Sequence, residues 1–145
     1  MIRPVTAADI PALRAMLQAL SDHDGGTSPV GSEAALTKAL FATHLIHSLI
    51  HPDGMIIYYP EFSTHRGEPG LYIQDLYVAP PARGTGLARA LLAASLSHQT
   101  WSAAYITLGV SPGNAAATRF YAKCGFTLRG YQMLILEGTI LDHLR

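Results

Sequence analysis

Residues 71–92 read LYIQDLYVAPPARGTGLARALL, and that order implies a strand, a turn and a helix. Residues 71–78 are mostly apolar, β-branched or aromatic, which suits a half-buried strand. Pro80-Pro81 ends it, because proline brings no N–H to a ladder. Arg83-Gly84-Thr85-Gly86 follows as a turn with free backbone N–H groups, and the next helix carries leucines at 87, 91 and 92. The head of a helix has unpaired donors and partial positive charge, so it attracts anions. Two glycines let a phosphate approach the backbone with no Cβ in the way. The stretch is read as a diphosphate cradle.

A dinucleotide site needs G-x-G-x-x-G, and the third glycine position here is Arg89. A P-loop needs a lysine that this turn lacks. The turn does fit Arg/Gln-x-x-Gly-x-Gly/Ala, through Arg83, Gly86 and Ala88. It thereby resembles the acetyl-CoA pyrophosphate motif of the GNAT (Gcn5-related) N-acetyltransferases. A glycine-rich loop with no ligand is the plainer reading of the turn alone; the strand before it and a second motif downstream favour the cradle.

The resemblance implies an α/β fold. Its mixed, mostly antiparallel sheet has about seven strands, splays between the fourth and fifth, and is flanked by about four helices. It implies acetyl-CoA as co-substrate, with its diphosphate on Arg83, Gly84, Thr85, Gly86, Leu87 and Ala88. Main-chain groups of Leu76, Tyr77 and Val78 would serve the pantetheine arm, and an N–H near Tyr77 or Val78 the oxyanion.

Composition sets the bounds. A chain of 145 residues is expected to form one domain, 1–145, with a real core. Ten basic and ten acidic side chains cancel, so there is no nucleic-acid footprint. Near-half apolar content argues against disorder. One cysteine allows no intrachain disulfide and suits a reducing cytoplasm. MIRPVTAADI has no signal-peptide core, and no segment reaches membrane-spanning length.

Residues 2–5 read as a short strand. Thr6 caps a helix, with Asp9 as a capping-box-like acid, and Ile10, Leu13, Leu17 and Leu20 recur at helical spacing. Residues 21–31 are a polar, glycine-rich loop, and Ser32 caps a second helix through about 43. Residues 44–50 and 55–62 read as antiparallel strands joined by His51-Pro52-Asp53-Gly54. A loop over 63–70 precedes the quoted stretch. A strand over 103–110, a helix from Asn114 to about Lys123 stopped by Gly125, a strand pair 126–129 and 132–137, and a short tail complete the order.

The second motif is Asn114-Ala-Ala-Ala-Thr-Arg-Phe-Tyr121-Ala-Lys-Cys-Gly125-Phe126, similar to the family pattern N-x-x-A-x-x-F-Y-x-K-x-G-F. Asn114 and Tyr121 are two turns apart, about 10 Å along one helix face. By resemblance, Asn114 meets the pantetheine arm and Tyr121 sits by the thioester sulfur. A phenol of pKa about 10 is a fitting proton donor to a thiolate whose acid is near about 8.5. The blander readings are a core aromatic for Tyr121 and a helix cap for Asn114. Cys124 falls on the apolar stripe with Ala117 and Phe120 and is read as packing.

Residues 54–59, 72–78 and the N-terminal IRPVTAAD also resemble the spermidine/spermine (diamine) acetyltransferase branch. That branch has Glu-Asp where this chain has Gln74-Asp75, and an amide takes no proton at neutral pH. Three routes stay open for deprotonating the amine. Gln74 orients a water that passes the proton to solvent or Asp75, which is the favoured route. Alternatively His65 replaces the glutamate, or the amine is weakly basic and needs no base. Acids for a polycation are sparse (Glu33, Glu61, Asp75), with Ser63 and His65 standing where the branch has an acid and a tryptophan. Glu33 is more simply a first-turn helix acid. His44, His47 and His51 do not share one strand face, and no metal set is expected.

The function expected is transfer of acetyl from acetyl-CoA to a small amine, polyamine or amino-acid-like acceptor, with Tyr121 as acid and Gln74 and Asp75 on the amine side. The rivals are an acyl-CoA-binding sensor with little catalysis, and a peptide N-terminal acetyltransferase. Apolar residues over 132–141 suggest a homodimer. Neither a nucleic-acid nor a membrane partner is expected.

Overall fold

A computed structural model describes residues 1–26 and 29–145. Contacts divide the chain into two compact units, Met1–Asn114 and Ala115–Arg145. The first holds strand β1 (Arg3–Pro4), helix α1 (Ile10–His23), helix α2 (Glu33–Thr37), β2 (His47–His51), β3 (Gly54–Ser63), β4 (Glu68–Val78), helix α3 (Leu87–His98) and β5 (Ile106–Leu108). The second holds helix α4 (Ala115–Cys124) and a 3-10 stretch, Gly138–Leu144.

The five strands lie in chain order in one sheet. The pairs β1–β2, β2–β3 and β3–β4 are antiparallel, and β4–β5 is parallel. The sheet is therefore mixed and mostly antiparallel, as expected.

Local chemistry sets the helix starts. The Thr6 N–H and hydroxyl both donate to the Asp9 carboxylate, at 2.8 and 3.0 Å, and Arg3 grips the same carboxylate at 2.7 and 2.8 Å. That bidentate pair holds the Asp9 carboxyl well below the usual carboxylate range. Ser32 Oγ accepts from the Ala35 N–H at 3.1 Å, capping α2. Beyond Thr37 the coil widens into a π-type turn over Lys38–Ala42, so the expected helix reaches its foreseen length with a different pitch.

Ile10, Leu13 and Leu17 of α1 and Leu40 pack with Met55 and Ile57 of β3, which puts α1 on one face of the sheet. Helix α3 covers the other: a Cβ on Gly54 would lie 3.3 Å from both Leu87 Cδ2 and Leu91 Cδ1. Trp101 donates from Nε1 to the Gly70 carbonyl at 2.8 Å and lies against His47 and Tyr58.

Several expectations are corrected. The loop foreseen over 63–70 is a tight turn, with the Gly67 N–H on the Ser63 carbonyl at 2.8 Å, so β3 and β4 form one long hairpin. Polar composition hid it: Thr64, His65 and Arg66 are turn residues, while Glu68 and Pro69 already sit on the edge of the ladder. β2 begins at His47, because His44 takes a left-handed φ of 51° that a strand cannot accommodate. The strand foreseen over 103–110 forms a ladder only over Ile106–Leu108.

The pair foreseen over 126–129 and 132–137 forms no strands, so among the described residues the sheet has five rather than about seven. A two-stranded hairpin standing alone is marginal in water. The expected loop over 21–31 gives up residues 21–23 to α1, and within it Thr27 and Ser28 lie outside the described residues.

Candidate active site

The site begins where the sheet divides. The β4–β5 ladder consists of Leu71↔Ile106, Tyr72↔Thr107 and Ile73↔Leu108, yet β4 runs on to Val78. Past Ile73 the β5 side of β4 has no ladder, so alternate main-chain N–H and C=O groups of 74–78 face a gap. Leu76, Tyr77 and Val78, half-buried, line this free stretch. The expected splay between the fourth and fifth strands is therefore present.

A bulge marks the same point. On the β3 side the register runs Tyr58↔Ile73, then Ile57↔Asp75, leaving Gln74 as the extra residue. Gln74 is exposed and Asp75 half-buried. Asp75 pairs with Ile57, whose side chain packs under α1, so its carboxyl lies on the α1 face. Burial, with a contribution from the Asp24 carboxylate at the end of α1, pushes Asp75 up to about 6. Among the described residues the ion pairs are Arg3–Asp9 and Arg145–Asp142, and Asp75 has neither a cation nor a hydrogen-bond partner.

Beyond Val78, Pro80–Ala82 makes a 3-10 turn, and Arg83 Nε donates back to the Val78 carbonyl at 3.2 Å. The Thr85 hydroxyl donates to the Ala82 carbonyl. Gly84 and Gly86 take left-handed φ of 77° and 90°, with nothing within 4 Å of where a Cβ would stand. The turn is thus conformationally bound to glycine and open on the side where those Cβ atoms would stand. Gly86 caps α3, and the first helical bond runs from the Ala90 N–H to the Gly86 carbonyl. The N–H groups of Leu87 and Ala88 precede it and have no helical acceptor. An open groove of about 630 Å³ adjoins the turn, lined in part by Thr85, Gly86, Leu87, His51 and Asp53. This donor set suits a diphosphate.

Asn114, the last residue of the first unit, precedes α4 in the chain, its N–H on the Ser111 carbonyl at 2.9 Å. Tyr121 is half-buried, edge-on to Phe120 and Phe126 at 5.3 and 5.4 Å. Gly125 ends the helix at φ 103°, as its position foretold. His65, in the β3–β4 turn, is exposed, and so is Glu33 in the first turn of α2. Among the described residues no group of three or more His, Cys, Asp or Glu could hold a metal ion, and no helix is long and apolar enough to cross a membrane.

The model of the acetyltransferase (GNAT) family matches residues 41–126, which include the hairpin, the fork, the glycine turn and α4. The chain belongs to this family. It is 37% identical over 106 residues to uncharacterized N-acetyltransferases of Mycobacterium bovis and Mycobacterium tuberculosis, covering 68% of this chain and 66% of those proteins. It therefore spans about two thirds of the length of these relatives. It is 27% identical over 135 residues to a streptothricin acetyltransferase of Streptomyces lavendulae, covering 90% of this chain and 67% of that one.

Among solved structures, an integron cassette protein from the V. cholerae mobile metagenome superposes with a TM-score of 0.77 at 22% identity, covering 99% of this chain and 96% of that one. A possible acetyltransferase from Clostridium difficile 630 does so with a TM-score of 0.76 at 20% identity, covering 95% and 97%. At such identities the likeness is one of fold.

Two features of this site are not written in composition. The bulge at Gln74 is a matter of pairing register, which local sequence leaves open. Whether Asp75 has a counter-ion depends on which side chains the fold brings near it, and among the described residues no cation pairs with it.

Proposed function

We propose that the chain is an N-acetyltransferase that moves an acetyl group from acetyl-CoA to a primary amine by direct attack. The observation that carries this reading is the fork past Ile73 and Leu108, which leads along β4 into the left-handed turn of Gly84 and Gly86 at the head of α3. Arg83, Gly84, Thr85, Gly86, Leu87 and Ala88 hold the diphosphate. Along Leu76, Tyr77 and Val78, the alternate main-chain groups that β3 does not take, together with Asn114, hold the pantetheine arm. Held this way, the acyl carbon lies near the amine, which supplies much of the rate.

The amine nitrogen attacks the thioester carbon, and a β4 N–H near Tyr77 or Val78 takes the oxyanion. Collapse breaks the C–S bond, and the Tyr121 phenol gives its proton to the departing thiolate. The proton of the amine leaves through water ordered by Gln74 and ends on Asp75. Support for Asp75 comes from its half-buried carboxyl on the α1 face, which no cation pairs among the described residues. Likeness to the polyamine branch at 54–59 and 72–78 supports an amine acceptor. In this reading Met1–Asn114 and Ala115–Arg145 work as one domain, as a cytoplasmic homodimer.

Calorimetry with acetyl-CoA, and release of CoA thiol across small amines, polyamines, amino acids and peptides, test the proposal. Tight binding with thiol release on an amine is expected. Tight binding without release on any acceptor would favour an acyl-CoA sensor, and absence of binding would overturn the site.

A further inference from the structure

The α1 face of the sheet has two halves. Under α1, Met55 and Ile57 are buried. Further along β3 the same face carries Tyr59 and Glu61, since side chains two apart share a face. Tyr59 pairs with Tyr72, and Tyr72 with Thr107 of β5. The two tyrosine rings lie 5.0 Å apart, tilted by 36°. Glu61 pairs with Gly70, which has no side chain, so its carboxylate crosses β4 and accepts from the Thr107 hydroxyl at 2.9 Å. These side chains are all half-exposed.

This strip runs up to the fork. Gly109 follows the last paired residue of β5, and a Cβ there would lie 3.6 Å from the Tyr72 hydroxyl. Asp75, next along β4 on the same face, stands at the other end of the bulge. The strip therefore presents, in order, a carboxylate beside the gap, two aromatic rings, and a second carboxylate fixed by a threonine. Among the described residues no cation pairs with either acid. Ring faces and unpaired carboxylates attract ammonium groups and alkyl stems. They repel a carboxylate brought among them, which would be desolvated beside like charge.

We propose that Tyr59, Tyr72 and Glu61 form the acceptor's specificity wall, and that the acceptor is a cationic amine with an apolar stem and no carboxylate. This rests on the acetyltransferase reading and narrows it, since amino acids would be refused. Tyr59 and Tyr72 hold the stem, Glu61 repels anionic acceptors, and Thr107 positions Glu61.

Matched acceptors test the wall: 1,5-diaminopentane against lysine, and tyramine against tyrosine, each pair differing by one carboxylate. Thiol release with acetyl-CoA should favour the amine over its amino acid by about tenfold or more in kcat/KM. Glu61→Gln should narrow that gap through KM, with kcat nearly unchanged. Thr107→Val should act in the same direction more weakly. Tyr72→Phe should retain the KM for amines and Tyr72→Ala should raise it, with circular dichroism confirming that each variant is folded.

Calorimetry of the same acceptors in the presence of CoA gives a second readout. Binding of amines but not amino acids, without thiol release, would uphold the wall and sink the acetyltransferase reading. Equal turnover of both members of each pair, or an unchanged ratio in Glu61→Gln, would overturn the wall and leave that reading standing. Failure of the amines to bind would also overturn the wall.

Discussion

Ile73 of β4 lies beside Leu108 of β5, and they are the last pair the two strands share. One residue later Gln74 breaks register with β3. The loss of the ladder on one side and the bulge on the other fall together, so this short length of β4 has main chain to spare where the sheet's last pair opens.

Gly86→Ala should weaken acetyl-CoA binding by roughly tenfold, measured by calorimetry, and lower stability by about 1 kcal/mol. No atom stands within 4 Å of the new Cβ, so the cost comes from φ 90° rather than from a clash. Unchanged affinity would remove the turn from the site.

Tyr121→Phe should keep acetyl-CoA affinity and lose on the order of a hundredfold in kcat, the usual worth of a positioned acid. An unaltered kcat would return Tyr121 to the role of a packed aromatic between Phe120 and Phe126.

Asp75 gives predictions in activity and in stability. If it takes the amine's proton, the rate should rise with pH through about 6, and Asp75→Asn should flatten that limb. Its carboxyl is raised above the ordinary 3.8. The folded chain therefore binds the extra proton, and that contribution to stability is whole below 3.8 and gone above about 6. Asp75→Asn should then stabilise the fold above pH 6, on the order of 2 kcal/mol, and little at pH 4. Urea melts at both pH values check the sign. Gln74→Glu should raise turnover on strongly basic amines, and a slower enzyme would count against the water route.

Gly54→Ala should destabilise the fold by about 1–3 kcal/mol, read from the shift in denaturation midpoint. Its Cβ would stand 2.6 Å from the Tyr77 carbonyl oxygen, a main-chain atom that cannot swing away, with Leu87 and Leu91 closing the other side.

Met133, Leu134 and Ile135 are 90%, 93% and 80% exposed, a run of apolar surface that a partner would cover. Sedimentation should show a homodimer, and Leu134→Asp should shift it toward monomer. A monomeric wild type would leave the run without this explanation.

Much of the fold was legible because it is local. Thr6 with Asp9, Ser32, Gly125 and the Pro52-Asp53 turn each fix the backbone by contacts a few residues away, and short sequence patterns report such contacts well. The glycine turn was legible for the same reason: a left-handed φ at two positions leaves a mark in composition. The long β3–β4 hairpin was not, because its turn is polar and its strands lengthen by pairing. The strand pair foreseen over 126–137 failed for the converse reason, having strand-like residues and no ladder to join.

The sequence by itself determined the helix starts at Thr6 and Ser32, the turns at Pro52-Asp53 and Gly84–Gly86, the strand–turn–helix order and the family motifs on it. Tertiary structure alone decided where β5 parts from β4, that Gln74 is the bulged residue, and that Asp75 shares a face with Tyr59, Tyr72 and Glu61. Those are relations of register between strands far apart in the chain. A shift of one residue turns every side chain to the opposite face, and no local pattern records it.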